Sequence, residues 1–167
     1  MIAAVMALMM LTPGCYQPPV TAAIVDPFRA PACPFCPGNR GLEYQPPVGS
    51  SVTAVAPGIV TFSGVVAGVR YVVVAQTDGR SATYGRLAAS LVRVGAAMSA
   101  GALVGTTTDR FYFGLRQGGR YIDPAQYLGT LHYRPRLVPL DGSAPRRAPP
   151  PTMHCAASGV GDRAARR

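Results

Sequence analysis

The chain has 167 residues, which suggests one domain with additional tails, and 49% of them are apolar, so a core can form. Its net charge of +9 favours anionic partners such as wall polymers, lipid headgroups or nucleic acid. Every basic residue is an arginine, which excludes biotinyl and lipoyl carrier domains because these hold their cofactor on a lysine.

An unbroken apolar run opens the chain at Met1–Leu11. It is too short to span a bilayer as a helix, and it is typical of the apolar part of a secretory signal, without the usual basic leader. Residues 1–23 are therefore interpreted as a signal-like segment, cleaved after Ala22 or Ala23. The alternative is a lipid anchor on Cys15, which follows a poor match to a lipid-attachment box. Either form predicts export to the cell envelope or the extracellular space.

Cleavage at that point would leave three cysteines, Cys33, Cys36 and Cys155. In an oxidising compartment the plain expectation is a disulfide, and because three thiols cannot all pair internally, one stays free or pairs between chains. A second interpretation joins these cysteines and His154 in a structural zinc site.

Short apolar segments separated by turn residues fill the middle of the chain. Thr77–Arg80 and Gln117–Arg120 each contain glycine between two such segments and predict hairpins. A single helical turn is expected at Pro124–Tyr127, capped by Asp123. Val, Tyr, Phe and Thr dominate the segments, which predicts an all-β sandwich or barrel. The segments are Val52–Ala56, Ile59–Ser63, Tyr71–Gln76, Ser81–Tyr84, Phe111–Arg116 and Tyr121–Ile122.

The end of the chain differs in composition. Residues 134–167 are rich in proline and arginine and predict a disordered tail. The tail's charge offers an electrostatic tether to anionic envelope polymers. Nucleic acid is not an expected partner, because no basic helix or aromatic RNA platform is present. Residues 24–133 are left as the folded domain.

Five separated segments carry a family resemblance in unbroken order. They resemble the motifs of the lysostaphin/LytM family of zinc metallopeptidases, which are murein endopeptidases. The resemblance implies a small antiparallel β-sandwich/barrel-sandwich hybrid with a duplicated hybrid motif. The segments are GNRGLEY at 38–44, VGSSVTAVAPGIVTFSG at 48–64, TYGRL at 83–87, VRVGAAMSAGALVG at 92–105 and RFYFGLRQGGRYIDPAQYL at 110–128.

In that family some positions hold zinc and others assist the attacking water, and these positions carry different residues here. The resemblance places Asn39 and Glu43 at the His and Asp ligands of the first motif, and Tyr112 at the third ligand. Arg86 and Arg110 stand where two further histidines assist the attacking water. Only Glu43 keeps a group that zinc accepts readily, and the arginines repel a cation. No cofactor is therefore expected, although active relatives use zinc.

The resemblance also implies a groove beside the former metal site. In one interpretation its arginines pair with peptide carboxylates and its tyrosines pack on a sugar or peptide. In the other, Glu43 forms a salt bridge with one of the arginines and simply fills the site. The implied floor is Asn39, Glu43, Tyr84, Arg86, Arg110 and Tyr112.

Noncatalytic members of the family activate partner wall hydrolases. The resemblance therefore implies a degenerate domain of the cell envelope that binds peptidoglycan or regulates a cell-wall hydrolase. Two alternatives stay open. One is a divergent but active metalloendopeptidase that cleaves peptidoglycan cross-links, and the other is a structural envelope protein held by its basic tail.

Overall fold

The structure is a computed structural model that describes residues 15–33, 35–132 and 152–155. Within these ranges there is no α-helix, and therefore none long and apolar enough to cross a membrane. The predicted all-β, antiparallel fold is confirmed. The strands are β1 (Ile24–Asp26), β2 (Leu42–Tyr44), β3 (Ser51–Thr53), β4 (Gly58–Val66), β5 (Val69–Gln76), β6 (Arg80–Ser90), β7 (Ala97–Met98), β8 (Leu103–Gln117), β9 (Arg120–Ile122), β10 (Gly129–His132) and β11 (Thr152–Cys155).

Nine of these strands form one antiparallel sheet; seven follow the order β1-β2-β8-β6-β5-β4-β7, and β3 and β9 lie off this path. The long strand β8 organises it, because it pairs with β2, β3, β6 and β9 along its length. Both hairpins expected from the sequence are present. Glycines with positive φ form their turns, at Gly79 in the first and at Gly118 and Gly119 in the second. The short 3-10 helix Pro124–Gln126 follows β9 with Asp123 as its cap, as predicted.

One face of the sheet forms the core. Phe111, Phe113 and Leu115 alternate along β8, and all three are fully buried. Val72 and Val74 do the same on β5. Because successive side chains of a strand point to opposite faces, the residues between them lie on the other side of the sheet. We call that side the groove face, and it carries Tyr71 of β5 and Tyr112 of β8.

The segment before β1 packs into the same core. Tyr16 and Val20 are buried, and Tyr16 forms a β-bridge with Leu128. The Tyr16 hydroxyl lies 2.7 Å from Gln76 Oε1, within hydrogen-bond distance. Placing the start of the domain at residue 24 therefore needs correction, because residues 15–23 belong to the packed unit. Cleavage after Ala22 or Ala23 would remove two core side chains.

The cysteines pair in a way that the sequence interpretation missed. Cys33 bonds to Cys36, and Cys155 bonds to Cys15. The expectation that one of three cysteines stays free or pairs between chains is wrong, because it assigned Cys15 to a discarded signal. The alternative zinc site is also wrong here, since the thiols that it requires are oxidised in two separate disulfides.

The second disulfide accompanies a strand within the predicted tail. Thr152–Cys155 forms β11 and pairs with β10 from Gly129↔Cys155 to His132↔Thr152. A disordered tail over residues 134–167 is thus wrong for these four positions. The rest of that prediction lies outside the described residues, as does the apolar run Met1–Leu11.

The two disulfides should differ in their effect on stability. The Cys15–Cys155 bond closes a loop with a sequence separation of 140, and the Cys33–Cys36 bond one of 3. Because a cross-link restricts the unfolded chain more when its loop is long, replacing Cys15 and Cys155 by serine should lower the free energy of unfolding by about 2–4 kcal/mol. Urea unfolding under oxidising conditions measures this. The matched Cys33→Ser/Cys36→Ser variant should lose less, and an equal loss in both would contradict the assignment.

Candidate functional site

The register of three strands brings the predicted site residues together. Glu43 of β2 lies opposite Tyr112 of β8, and Tyr112 lies opposite Gly85 of β6. Arg86 follows Gly85 directly, and Arg110 stands two residues before Tyr112. Residues from three separated sequence motifs thus meet at one end of the groove face.

Glu43 is the centre of an ion cluster. Arg86 donates to both of its carboxylate oxygens, from Nη1 at 2.9 Å and from Nη2 at 3.1 Å. Arg110 Nη1 approaches Glu43 Oε2 at 3.5 Å. The Glu43 side chain is 16% exposed, against 38% for Arg86 and 57% for Arg110. The predicted salt bridge from Glu43 to an arginine is confirmed, and the cluster of one carboxylate and two guanidinium groups keeps a positive charge.

A β-bulge places Arg86 beside Glu43. The pairing of β6 with β8 shifts register between Gly85 and Leu87, and Arg86 has a φ of 59°. This left-handed conformation costs a non-glycine residue about 1–2 kcal/mol, and bulges commonly redirect a side chain. Thr108 Oγ1 donates to the Arg86 carbonyl at 3.1 Å and supports the distorted backbone. The bidentate bond to Glu43 is therefore built into the sheet.

Tyr112 lies flat across positions that have no side chain. A Cβ at Gly114 would stand 2.6 Å from the Tyr112 hydroxyl, and one at Gly41 would stand 2.7 Å from its ring. At Gly85 a Cβ would come within 2.6 Å of the Tyr71 ring and 3.1 Å of the Tyr112 ring. The three glycines thus leave the space that the two tyrosines occupy. Burial raises the pKa of the Tyr112 phenol well above its usual range, and nearby Tyr121 adds to this effect.

The side-chain amide of Asn39 bonds to backbone groups rather than to Glu43. Its Nδ2 donates to the carbonyls of Asp26 at 3.2 Å and Pro27 at 3.0 Å, and its Oδ1 accepts from Gly41 N at 3.3 Å. The side chain is buried and holds the segment after β1 against the start of β2. Its role in the structure is to position a loop.

Tyr84 does not belong to the groove. It is fully buried on the core face, its ring packs against Phe113 at 5.4 Å, and its hydroxyl accepts from Val55 N at 3.0 Å. Predicting it as part of the groove floor is wrong because β6 alternates, so that Tyr84 and its neighbour Gly85 face opposite sides. Tyr71 is the tyrosine that lies on the groove face beside Tyr112. The alternation of β5, in which Val72 and Val74 are buried, is the sequence signal that could have identified it.

An acidic residue that sequence reasoning missed borders the site. Asp26 ends β1 opposite Glu43, and Arg29 donates from Nη2 to Asp26 Oδ2 at 3.0 Å. The hydrogen bond from Arg29 lowers the pKa of the Asp26 carboxyl, and the charge of Arg110 adds to this. The Arg29–Asp26 pair therefore extends the ionic border of the groove face beyond Glu43.

The side chains at the position that the resemblance assigns to the metal do not fit a zinc ion. Both oxygens of Glu43 are engaged by Arg86, the Tyr112 phenol is held in its neutral form, and the Asn39 amide is satisfied by backbone groups. Zinc sites in proteins use thiolate, imidazole and carboxylate ligands, and two fixed guanidinium charges oppose a dication. In the ranges that the structure describes, no three His, Cys, Asp or Glu residues lie close enough to form a metal site.

The groove face continues from Tyr112 towards the two hairpin turns. There it opens into a cavity of about 340 Å³ between β5, β6 and β8. We call it the Arg116 cavity. It is lined by Val73, Gly79, Ser81, Thr83, Arg116, Gly118 and Gly119.

The sequence model of peptidase family M23 matches residues 37–124, which is more than half of the chain and covers strands β2 to β9. The chain belongs to peptidase family M23. The match covers the ion cluster, the glycine positions under Tyr112 and the Arg116 cavity. No curated protein matches this M23 chain in sequence.

Solved structures share the fold at low sequence identity. Csd3 from Helicobacter pylori superposes with a TM-score of 0.62 at 23% identity, over 70% of this chain and 35% of Csd3. A structure of the SpoIIQ–SpoIIIAH pore-forming complex gives 0.60 at 16%, over 69% and 91%. The catalytic domain of the antimicrobial peptidase lysostaphin from Staphylococcus simulans gives 0.53 at 17%, over 62% and 89%. This M23 chain thus spans about one third of the length of Csd3.

Removing the carboxylate should destabilise the domain more than removing its outer partner. In Glu43→Gln the guanidinium groups of Arg86 and Arg110 lose their shared anion, so the free energy of unfolding should fall by about 1–2 kcal/mol. Arg110→Gln is the matched control and should cost less, since Arg110 is largely exposed and its contact is long. Urea unfolding compares the two, and a larger loss in Arg110→Gln would contradict the arrangement.

Alkaline pH should destabilise the folded state through Tyr112. Its folded-state pKa is raised above the ordinary value of 10.0, so its contribution to stability is complete below that pH and is lost as the pH rises beyond it. The free energy of unfolding should therefore decline less steeply above about pH 10 in Tyr112→Phe than in the wild type. Urea unfolding at several alkaline pH values checks this, and identical slopes would show that the phenol is not buried.

Proposed function

We propose that this M23 domain is non-catalytic and that it binds peptidoglycan in the cell envelope. The observation that supports it is the ion cluster at the position of the family's metal site, where Arg86 engages both oxygens of Glu43. A dication cannot replace a guanidinium there without releasing a bidentate, half-buried salt bridge. The site therefore keeps a charged floor and loses the chemistry that activates water.

The groove face offers a surface for an extended ligand. Tyr71 and Tyr112 form a flat aromatic patch over Gly85, and Thr83 and Ser81 continue the floor towards the Arg116 cavity. Aromatic rings with hydroxyl groups pack well against sugars and peptide backbones because they combine apolar area with hydrogen-bonding edges. Arginine side chains border this surface and suit an anionic polymer; they are Arg29, Arg86, Arg110 and Arg116.

A second role is regulation of a wall hydrolase through protein contacts. The SpoIIQ–SpoIIIAH structure shows that a chain of this fold occurs within a protein complex, which makes a binding role without turnover reasonable for this one. Family membership alone favours the remaining candidate, an active endopeptidase. Export and the envelope location belong to the proposal, supported by the two disulfides, which form in oxidising compartments.

Metal content separates the binding role from the enzymatic one. Protein purified after growth with added zinc should contain far less than one zinc per chain, and it should release no fragments from cross-linked peptidoglycan. Elemental analysis and chromatography of the digest measure these two properties. Stoichiometric zinc, or turnover by the pure protein, would overturn the non-catalytic assignment.

Wall binding should depend on the cluster and resist salt. The protein should co-sediment with insoluble peptidoglycan, and Arg110→Glu should weaken this several-fold at moderate salt, because it reverses a charge in the groove. Arg120→Glu makes the same change in charge on β9, outside the cluster, and is the matched control. Equal losses in the two variants, or binding that vanishes at moderate salt, would indicate only nonspecific attraction to the basic chain.

A further inference from the structure

The Arg116 cavity lies at the far end of the groove face from the ion cluster. Arg116 stands opposite Ser81 in the β6–β8 pairing, and Thr83 stands opposite Gly114. Arg116 lies four positions after Tyr112 on β8, which corresponds to about 13 Å along the strand. The cavity is therefore continuous with the proposed binding surface but distinct from the former metal site.

The charge of the cavity comes from one side chain. Among the described residues that line it, Arg116 alone is charged. The acidic residue next to the lining glycine of the first hairpin turn is Asp78, and its carboxylate is already engaged by Arg80 and by the Tyr16 hydroxyl. An anion in the cavity would thus meet a guanidinium group without a competing carboxylate.

Arg116 is held in place before any ligand arrives. Its Nη2 donates to the Gly119 carbonyl at 3.0 Å, and its guanidinium group stacks over the Tyr121 ring at 4.9 Å. That hydrogen bond uses one of the five N–H donors of the side chain. A stacked and anchored arginine loses little rotamer freedom on binding, so its remaining donors are well placed for a planar anion.

The other walls of the cavity suit a small end group. Ser81 and Thr83 supply hydroxyl groups, Val73 supplies an apolar wall, and the glycines leave room for the ligand backbone. A volume of about 340 Å³ is at the small end of ligand pockets and admits one or two small residues but no long side chain. Neutral sugars would gain little from the single cation.

We propose that the Arg116 cavity binds the C-terminal carboxylate of a short peptide with small side chains, such as the free end of a wall peptide. This inference rests on the proposed binding function and adds which part of the polymer enters the groove. The carboxylate pairs with Arg116, the hydroxyl groups of Ser81 and Thr83 contact the terminal peptide unit, and the chain then runs along β8 towards Tyr112.

A titration with acetyl-D-alanyl-D-alanine tests the proposal. Amide NMR shifts should change at Ser81, Thr83, Gly118 and Gly119, and the peptide's C-terminal amide should bind about tenfold more weakly, because it lacks the charge-assisted hydrogen bonds. Equal affinity for the acid and the amide, or shifts confined to another surface, would overturn the proposal. So would tighter binding of inorganic phosphate than of the dipeptide.

Two arginines of the same hairpin give the matched variants. Arg116→Gln should reduce affinity for the acid about tenfold and leave affinity for the amide unchanged, while Arg120→Gln should change neither. Unchanged affinity of Arg116→Gln for the acid would refute the site. Since Arg116 also bonds to Gly119, thermal unfolding of each variant is recorded, and the comparison of acid with amide on the wild type stands without any variant.

Peptidoglycan sedimentation by the same proteins separates the two proposals. One outcome is that the wild type sediments with the wall but binds the acid and the amide equally, with Arg116→Gln binding the acid as tightly as the wild type does. In that case the cavity assignment fails and the wall-binding function stands. If the wild type does not sediment with the wall at all, the proposed function fails, and with it the identification of the peptide as a wall component.

Discussion

The ion pairs of the Glu43 carboxylate with Arg86 and Arg110 are the interactions on which the shape and charge of the groove face depend. They join β2 to β6 and β8 through side chains. Arg86 reaches Glu43 only because β6 bulges and its backbone adopts a positive φ. The positive φ is a local cost that the sheet accommodates, and in the resulting arrangement both carboxylate oxygens accept hydrogen bonds from guanidinium groups.

The alternation of β8 explains how one strand serves two purposes. Phe111 and Phe113 anchor the core, while Tyr112 between them lies on the opposite face. Gly85 and Gly114 accept the tyrosine rings where any larger residue would collide. Because the core side chains of β8 are tightly packed, its side chains on the groove face form a preorganised surface. The distance between the ion cluster and Arg116 is set by the rise per residue of the strand.

The ends of the described chain are tied to the same sheet. Cys15 bonds to Cys155, Tyr16 packs beside Tyr127, and the Arg80 guanidinium stacks on the Tyr127 ring at 4.3 Å. A lipid on Cys15 and this disulfide exclude each other, since each requires the same sulfur atom. Tyr16 and Val20, which the sequence interpretation assigned to a cleaved leader, therefore belong to the core. The described part of the basic tail, Thr152–Cys155, is a strand.

The sequence by itself determined the all-β class, both hairpins and the family, because turn glycines, strand composition and the order of motifs can be read directly from it. The salt bridge of Glu43 was one of two interpretations of the site. It did not determine which face each side chain occupies or how the cysteines pair. Tyr84 was expected in the groove but faces the core, because a shift of one residue in β6 changes the face, and the pairing of β6 with β5 and β8 fixes that register. Cys15 and Cys155 meet across a sequence separation of 140, which no local pattern encodes. The tertiary structure decided these features, since they depend on contacts between residues far apart in the chain.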